Sequence, residues 1–178
     1  RNEFFPHANS FEMSDSIACP GEVIQLLNTS TLRPNGYEWQ SNPQNVTFHA
    51  SKFVPHPTMI LSEPGVNQII FITNKDNQCY DTMVKPVDVE AVKAAFYSLD
   101  TSNFCAPAPV KFHSLSHNAD SLAWSFGDGK STGSERDSLT HVYNENSGKR
   151  GFTVKLVATN RYGCIDSVTR KEYIKVNG

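Results

Sequence analysis

The sequence predicts an all-β chain built as two similar domains in tandem. Three observations predict it. Stretches of the chain alternate with a period of two: Leu122, Trp124 and Phe126 fall on one face, Ala123 and Ser125 on the other. Phe152, Val154, Leu156 and Ala158 alternate in the same way with Thr153, Lys155, Val157 and Thr159. Second, one order of elements appears twice: short strand, Cys, strand, Trp strand, loop, long strand, Asn-containing turn, Cys, last strand. Third, no segment carries an amphipathic-helix pattern. Residues 90–95 are helix-friendly but too short to stand alone.

The repeat sets the elements. Trp39 follows Cys19 by 20 positions and Trp124 follows Cys105 by 19, while each Trp precedes its second Cys by 40. The first repeat offers strands at 10–13, 22–27, 37–40, 46–49, 58–61, 66–74 and 80–89. The second offers 93–99, 110–115, 122–126, 139–143, 151–160 and 165–176. Pro34-Asn35-Gly36 and Pro64-Gly65 supply turns ahead of the first Trp strand and the long strand. Residues 1–8 read as a lead-in. The boundary falls near Ala91, giving domains 1–91 and 92–178. The joint has no Gly, Pro or Ser run, so limited play between the domains is expected.

Cysteine usage bounds the compartment. The four cysteines include no close C-x-x-C pair, so zinc is disfavoured. Gaps of 60 (Cys19 to Cys79) and 59 (Cys105 to Cys164) point to two disulfides, one per repeat, and to an oxidising compartment. The alternative is four buried thiols in a cytosolic protein. A net charge of −2 with no block of like charge argues against nucleic acid and against a polybasic membrane patch. No apolar run is long enough to span a bilayer. The chain starts at Arg1, which reads as an internal or processed piece of a longer precursor.

A motif set in the second half carries a resemblance. Trp124-Ser125-Phe126-Gly127-Asp128-Gly129 is followed by His141-Val142-Tyr143 and then by the alternating run from Gly151 to Asn160. The set resembles the polycystic-kidney-disease (PKD) domain, an immunoglobulin-like β-sandwich. The resemblance implies two immunoglobulin-like sandwiches in tandem, the second of PKD type. The first repeat keeps Trp39 but has Gln40-Ser41-Asn42-Pro43-Gln44-Asn45 in place of the Gly-Asp-Gly turn. It is PKD-like by internal homology only. The family is found largely as extracellular modules. Tandem copies with one Cys pair each look like long secreted surface proteins of Bacteroidetes-type bacteria. Each first Cys precedes strand B and each second Cys follows strand F. The bridge is therefore expected to staple its sandwich near one end, with the Trp packed near it.

The candidate sites are few. If Ile70 and Ile72 take the inward places of Leu156 and Ala158, then Ile69 and Phe71 point outward. They then need a covering strand or loop, or form a contact surface. Asp128 is expected to bond its own loop; it is also the one candidate for Ca²⁺, and no other cofactor is expected. Asp81 and Asp166 recur two places after a Cys and read as turn-capping. His141 reads as a structural hydrogen-bonding residue. His113 and His117 are placed on a strand and in the following loop, a poor metal pair. Asn28 and Asn45 head N-x-[ST] sequons. There is no G-x-S-x-G, no phosphate-cradling loop and no pair of carboxylates across a cleft.

The reading is therefore a non-catalytic structural or adhesive module, a spacer or protein-interaction segment of a large secreted or cell-surface protein. Its partners would be neighbouring domains of the same parent and a surface protein or polysaccharide. The alternative is an accessory polysaccharide- or collagen-binding module of a secreted hydrolase. An exposed planar row of Tyr37, Tyr80, Tyr97 and Tyr162 would favour it.

Overall fold

Alternating segments become strands throughout the computed structural model, which describes residues 9–31, 36–75, 79–102, 104–134 and 137–177. The lead-in 1–8 and the start of the Pro34-Asn35-Gly36 turn lie outside the described residues. The chain divides into two compact units, Arg1–Glu90 and Ala91–Gly178.

The first unit contains β1 (Phe11–Met13), β2 (Ile17–Ala18), β3 (Val23–Asn28), β4 (Gly36–Asn42), β5 (Val46–His49), β6 (Thr58–Leu61), β7 (Gly65–Lys75) and β8 (Cys79–Val89). They form two four-stranded sheets, in the orders β1-β3-β6-β5 and β2-β8-β7-β4. Apolar residues of both sheets close one core, with Phe11, Ile24, Leu26, Trp39, Met59, Ile69 and Phe71 fully buried. Trp39 is its centre: its ring stacks 4.1 Å from Phe71 and meets Phe11 edge-on at 5.1 Å. The indole N–H donates to Val54 O at 2.9 Å.

The second unit contains β9 (Phe96–Tyr97), β10 (Phe104–Cys105), β11 (Ala108–Ser114), β12 (Ser121–Ser125), β13 (Ser131–Ser134), β14 (Ser138–Tyr143), β15 (Phe152–Thr159), β16 (Ile165–Ile174) and β17 (Val176–Asn177). One sheet runs β14-β11-β9 and the other β13-β12-β15-β16, with β10 paired parallel to β17. The core holds Phe96, Phe112, Trp124, Phe126, Tyr143, Val154, Leu156 and Ile174. Trp124 packs against Phe96, Phe112 and Phe126, a cluster of aromatic rings with no disulfide in it. Both units are all-β sandwiches.

Two expectations are corrected. Ile69 and Phe71 do not face outward; both are fully buried. Directly opposed residues of an antiparallel pair share a face. Phe71 opposes Trp39. The inward Trp therefore turns Phe71 inward, and Ile69, two positions away, goes with it. Ile70 and Ile72 lie half-buried on the other face.

The one-bridge-per-repeat pairing fails on strand length. Cys105 is exposed and free. It lies on β10 opposite Asn177, beyond the C-terminal end of β16. Cys164 immediately precedes β16, is buried and is disulfide-bonded. The ten residues of β16 separate the two. That is about 30 Å at the usual rise per residue, against the roughly 7 Å between Cα atoms that a disulfide tolerates. The first unit repeats the geometry. Ala18 pairs with Val89, so Cys19 sits at the far end of β8 from Cys79, which begins that eleven-residue strand. Cys19 is nonetheless disulfide-bonded. The side chain of Cys79 lies outside what is described.

Candidate functional site

The motif residues converge at one edge of the second sandwich. β12 delivers Phe126 to the core. The chain then turns, closed by Phe126 N–H donating to Lys130 O at 3.1 Å. Gly127 and Gly129 both take φ of +84°, where a side chain would be strained. Gly127 has a second constraint. A Cβ there would lie 2.5 Å from Thr153 O and 2.8 Å from Thr153 N, so the turn presses directly on the backbone of β15.

Asp128 stands between the glycines with both oxygens engaged. Oδ1 accepts Lys130 N–H at 3.1 Å. Oδ2 lies 2.8 Å from His141 Nε2. Burial pushes the Asp128 carboxyl up, but the hydrogen bonds from His141 and Lys130 N–H outweigh it and hold the group below the ordinary carboxylate value. An ionised carboxylate only accepts, so Nε2 carries the proton. The imidazole is also sandwiched by chemistry of its own. It stacks on Phe126 at 3.8 Å and 3° and meets Tyr143 edge-on at 4.7 Å. Tyr143 O–H donates to Phe126 O at 3.1 Å, and its ring stacks on Phe152 at 4.6 Å. Burial first, and then the Asp128 charge, push the Tyr143 phenol far above its usual value. Phe126, Asp128, His141 and Tyr143 thus satisfy one another. A shallow groove of about 360 Å³ runs beside them between β13 and β14, floored by Phe126, Leu139 and His141 and walled by Lys130 and the backbone-rich Ser131–Ser134 strand.

Other candidates scatter. A cation at Asp128 would have to displace two N–H donors, so the donor set does not fit Ca²⁺. Among the described residues no group of three or more His, Cys, Asp or Glu side chains is placed to hold a metal ion. His113 stacks on Tyr97 at 5.0 Å, while the His117 backbone bridges Lys93. Asp166 Oδ2 accepts Ala94 N–H at 2.8 Å, and Asp81 Oδ1 accepts Thr82 N–H at 2.9 Å. In neither unit do its two tyrosines form a row. Tyr37 stacks on Phe71. Tyr80 is a neighbour of the opposite parity on the same sheet, since it opposes Asn74 and Tyr37 opposes Thr73. In the second unit Tyr97 belongs to the β14-β11-β9 sheet and Tyr162 to the turn before β16.

Asn160 was not singled out as a site residue, although an Asn in this turn is part of the repeat. It is buried, and its Oδ1 accepts both Tyr162 N–H and Cys164 N–H at 3.0 Å, which fixes Cys164 in place. Its signal was an Asn ahead of the second Cys in both repeats, Asn74 before Cys79 and Asn160 before Cys164. The approach of Gly127 to Thr153 had none, because it depends on how β12 and β15 pair.

Residues 98–171 match the family model of the PKD domain. No curated protein matches the chain. Among solved structures, the PKD1 domain of Vibrio anguillarum Epp is 25% identical, over 49% of this chain and 96% of that one, with a TM-score of 0.38. Murine CEACAM1b is 12% identical over 96% of this chain and 100% of that one, TM-score 0.41. The three N-terminal domains of the bacteriophage RB49 Highly Immunogenic Outer Capsid protein are 15% identical over 96% and 59%, TM-score 0.42. The stretch that matches the PKD domain model lies within the second unit.

Proposed function

We propose that the chain is a non-catalytic structural and adhesive module, two domains at 1–91 and 92–178 that serve as a spacer or protein-interaction segment of a large secreted or cell-surface protein. One observation carries the reading. The polar residues that give the second sandwich its motif are spent on each other: Asp128 on Lys130 N–H and His141, Tyr143 on Phe126 O. A catalytic acid or base needs a polar atom free to meet substrate, and both Asp128 oxygens, His141 Nε2 and the Tyr143 hydroxyl are already bonded. The polar chemistry of the motif is therefore architectural. PKD and immunoglobulin-like sandwiches supply rigid surfaces, and function is added to them at loops and edges.

A disulfide-bonded sandwich suits an extracellular, oxidising setting. Among the described residues no helix is long and apolar enough to cross a membrane. Partners on this reading are neighbouring domains of the same parent and a surface protein.

The test is retention. Intact chain is incubated with insoluble chitin, cellulose and collagen beside a carrier protein of similar size. Retention no greater than the carrier's is expected on all three. Saturable retention on any one would replace this reading with that of an accessory binding module.

A further inference from the structure

The outward face of the β2-β8-β7-β4 sheet is apolar where the matching face of the second sandwich is polar. Directly opposed residues share a face, so the strand register sets the rows. One row runs Gln40–Ile70–Val84, and the next runs Glu38–Ile72–Thr82. In the second sandwich the same rows read Ser125–Lys155–Thr169 and Ala123–Val157–Ser167. The cores do not ask for this difference. They take the alternate residues, Trp39 with Phe71 and Trp124 with Leu156. Ile72, Ile70, Val84 and Pro86 are neighbours in turn and form a continuous diagonal across β7 and β8. Val84 is 49% exposed, and Val66 and Tyr80 on the same face are 58% and 72% exposed. The other sheet of this sandwich also shows Val23 and Leu27 outward, but Gln25 and the opposed Thr58 interrupt them. A continuous apolar strip with a polar rim marks a contact surface.

We propose that two copies of the chain associate through this face, sheet against sheet. Their two-fold axis lies between the sheets, crosses the strands and passes over the Gln40–Ile70–Val84 row. The inference rests on the adhesive-module reading and names its partner, a second copy of the first sandwich.

Register and charge favour a like copy. Such an axis reverses the strands and carries each residue towards the one equally far from the row on its other side. Ile70 then meets Ile70, Val84 meets Val84 and Pro86 meets Thr82. Glu38, two before Gln40, comes over Asn42, two after it, whose amide donates to a carboxylate. In its own copy Glu38 is also balanced by Lys52 Nζ at 2.9 Å. The Asp88 end of each copy meets the Tyr80 end of the other, so the two Asp88 carboxylates stay apart. The second sandwich is excluded from the same association, because its matching axis sets Lys155 against Lys155.

The area sets the strength. Three strands about 4.8 Å apart and up to eleven residues long cover about 500 Å² per copy. The pair buries about 1,000 Å², which reaches the lower bound of a specific interface and belongs to the weak, transient class. Single copies part readily, whereas copies displayed in number on a surface gain by avidity.

The experiment uses the full chain, alkylated without reduction so that the exposed Cys105 thiol cannot link copies. Sedimentation velocity is expected to show a monomer–dimer equilibrium between about 10 µM and 1 mM. Ile70→Lys sets like charges on the axis and should weaken association at least about tenfold, as should Ile70→Glu. An equimolar mixture of the two should associate again, as a heterodimer at least as tight as the unchanged pair. Recovery in the mixture also shows that both variants fold. The pair Gln40→Lys and Gln40→Glu repeats the test on β4, in the same row. Ile165→Lys, at an exposed apolar residue of the second sandwich, should change nothing. A chain that stays monomeric at about 1 mM overturns the proposal. So does association indifferent to Ile70→Lys, or failure of both charge-swapped mixtures to associate. The retention assay on chitin, cellulose and collagen judges the module reading separately, whichever result is obtained.

Discussion

The two sandwiches share a Trp strand and part company immediately after it. In the second, β12 stops at Ser125, the Gly127-Asp128-Gly129 turn reverses the chain, and β13 returns along β12 with Ser131 opposite Ser125. In the first, β4 continues to Asn42 and then meets Pro43, which has no N–H to give a ladder. The next strand, β5, joins β6 in the other sheet, with Val46 opposite Leu61. The cores hardly notice. Trp39 sits on Phe71 and Trp124 opposes Leu156, both fully buried. The difference teaches that the core aromatic defines the sandwich while turn chemistry decides which sheet receives the next strand.

The strongest way to break this comparison is Gly127→Ala. The added Cβ meets backbone atoms of Thr153 that cannot swing away, and it does so at positive φ. The expected loss is about 4 kcal/mol, confined to the second sandwich. Asn42→Ala, at the matching place in the first, should cost less than about 1 kcal/mol. Hydrogen exchange resolved by sandwich checks both. Equal losses in the two units would mean that the turn is not what distinguishes them.

The next effect tests the corrected face of β7. Ile69→Ala removes a fully buried side chain from the first core and should cost about 3 kcal/mol. Ile70→Ala, on the half-buried outer face, should cost about 1 kcal/mol or less. Urea midpoints for the two variants read the difference directly. Comparable midpoints would restore the outward placement of Ile69.

That face was within reach of the sequence. Trp39 and Trp124 lie 85 positions apart, as do Cys79 and Cys164, and the same offset carries Phe71 onto Leu156. Aligning Ile70 with Leu156 instead slipped the strand by one residue, and a slip of one inverts every side chain. The all-β class, the Trp strand and the Gly-Asp-Gly turn were legible because period and turn residues are local. The cysteine pairing was not. Near-equal gaps of 60 and 59 measure distance along the chain, whereas bonding depends on which end of β8 or β16 each cysteine occupies. The stacking of His141 on Phe126 was hidden for the same reason: it joins β14 to the turn after β12, and these belong to different sheets.

A finer contrast lies in the two indoles. Trp39 Nε1 donates to Val54 O, while Trp124 Nε1 is buried with no acceptor among the described residues. Replacing either Trp by Phe loses similar ring area. Only Trp39→Phe also loses a hydrogen bond and strands a carbonyl. It should therefore be the costlier of the two by about 1 kcal/mol. Thermal unfolding of both variants checks the difference, and a larger loss for Trp124→Phe would reverse the argument.

The smallest effect is a slope against pH, and it too separates the units. Asp128 and Glu38 both have depressed folded-state pKa values. A depressed carboxyl stabilises the fold above its unfolded value, about 4, and that stability is lost as pH falls through the folded value. Both sandwiches should thus weaken in acid. The causes differ. Glu38 is held down by hydrogen bonds from Lys52 and Gln40 at the surface, and the Lys52 pair is 43% and 34% exposed. Asp128 and His141 are 11–12% exposed. Screening acts on exposed charges far more than on enclosed ones. Raising the salt concentration should flatten the acid slope of the first sandwich and leave most of the second's, and Asp128→Asn should remove the latter at any salt. Hydrogen exchange between pH 5 and 3 at low and high salt reads both slopes. Equal flattening would place Asp128 in the same solvent-screened class as Glu38, and the motif would then have no protected carboxylate at its centre.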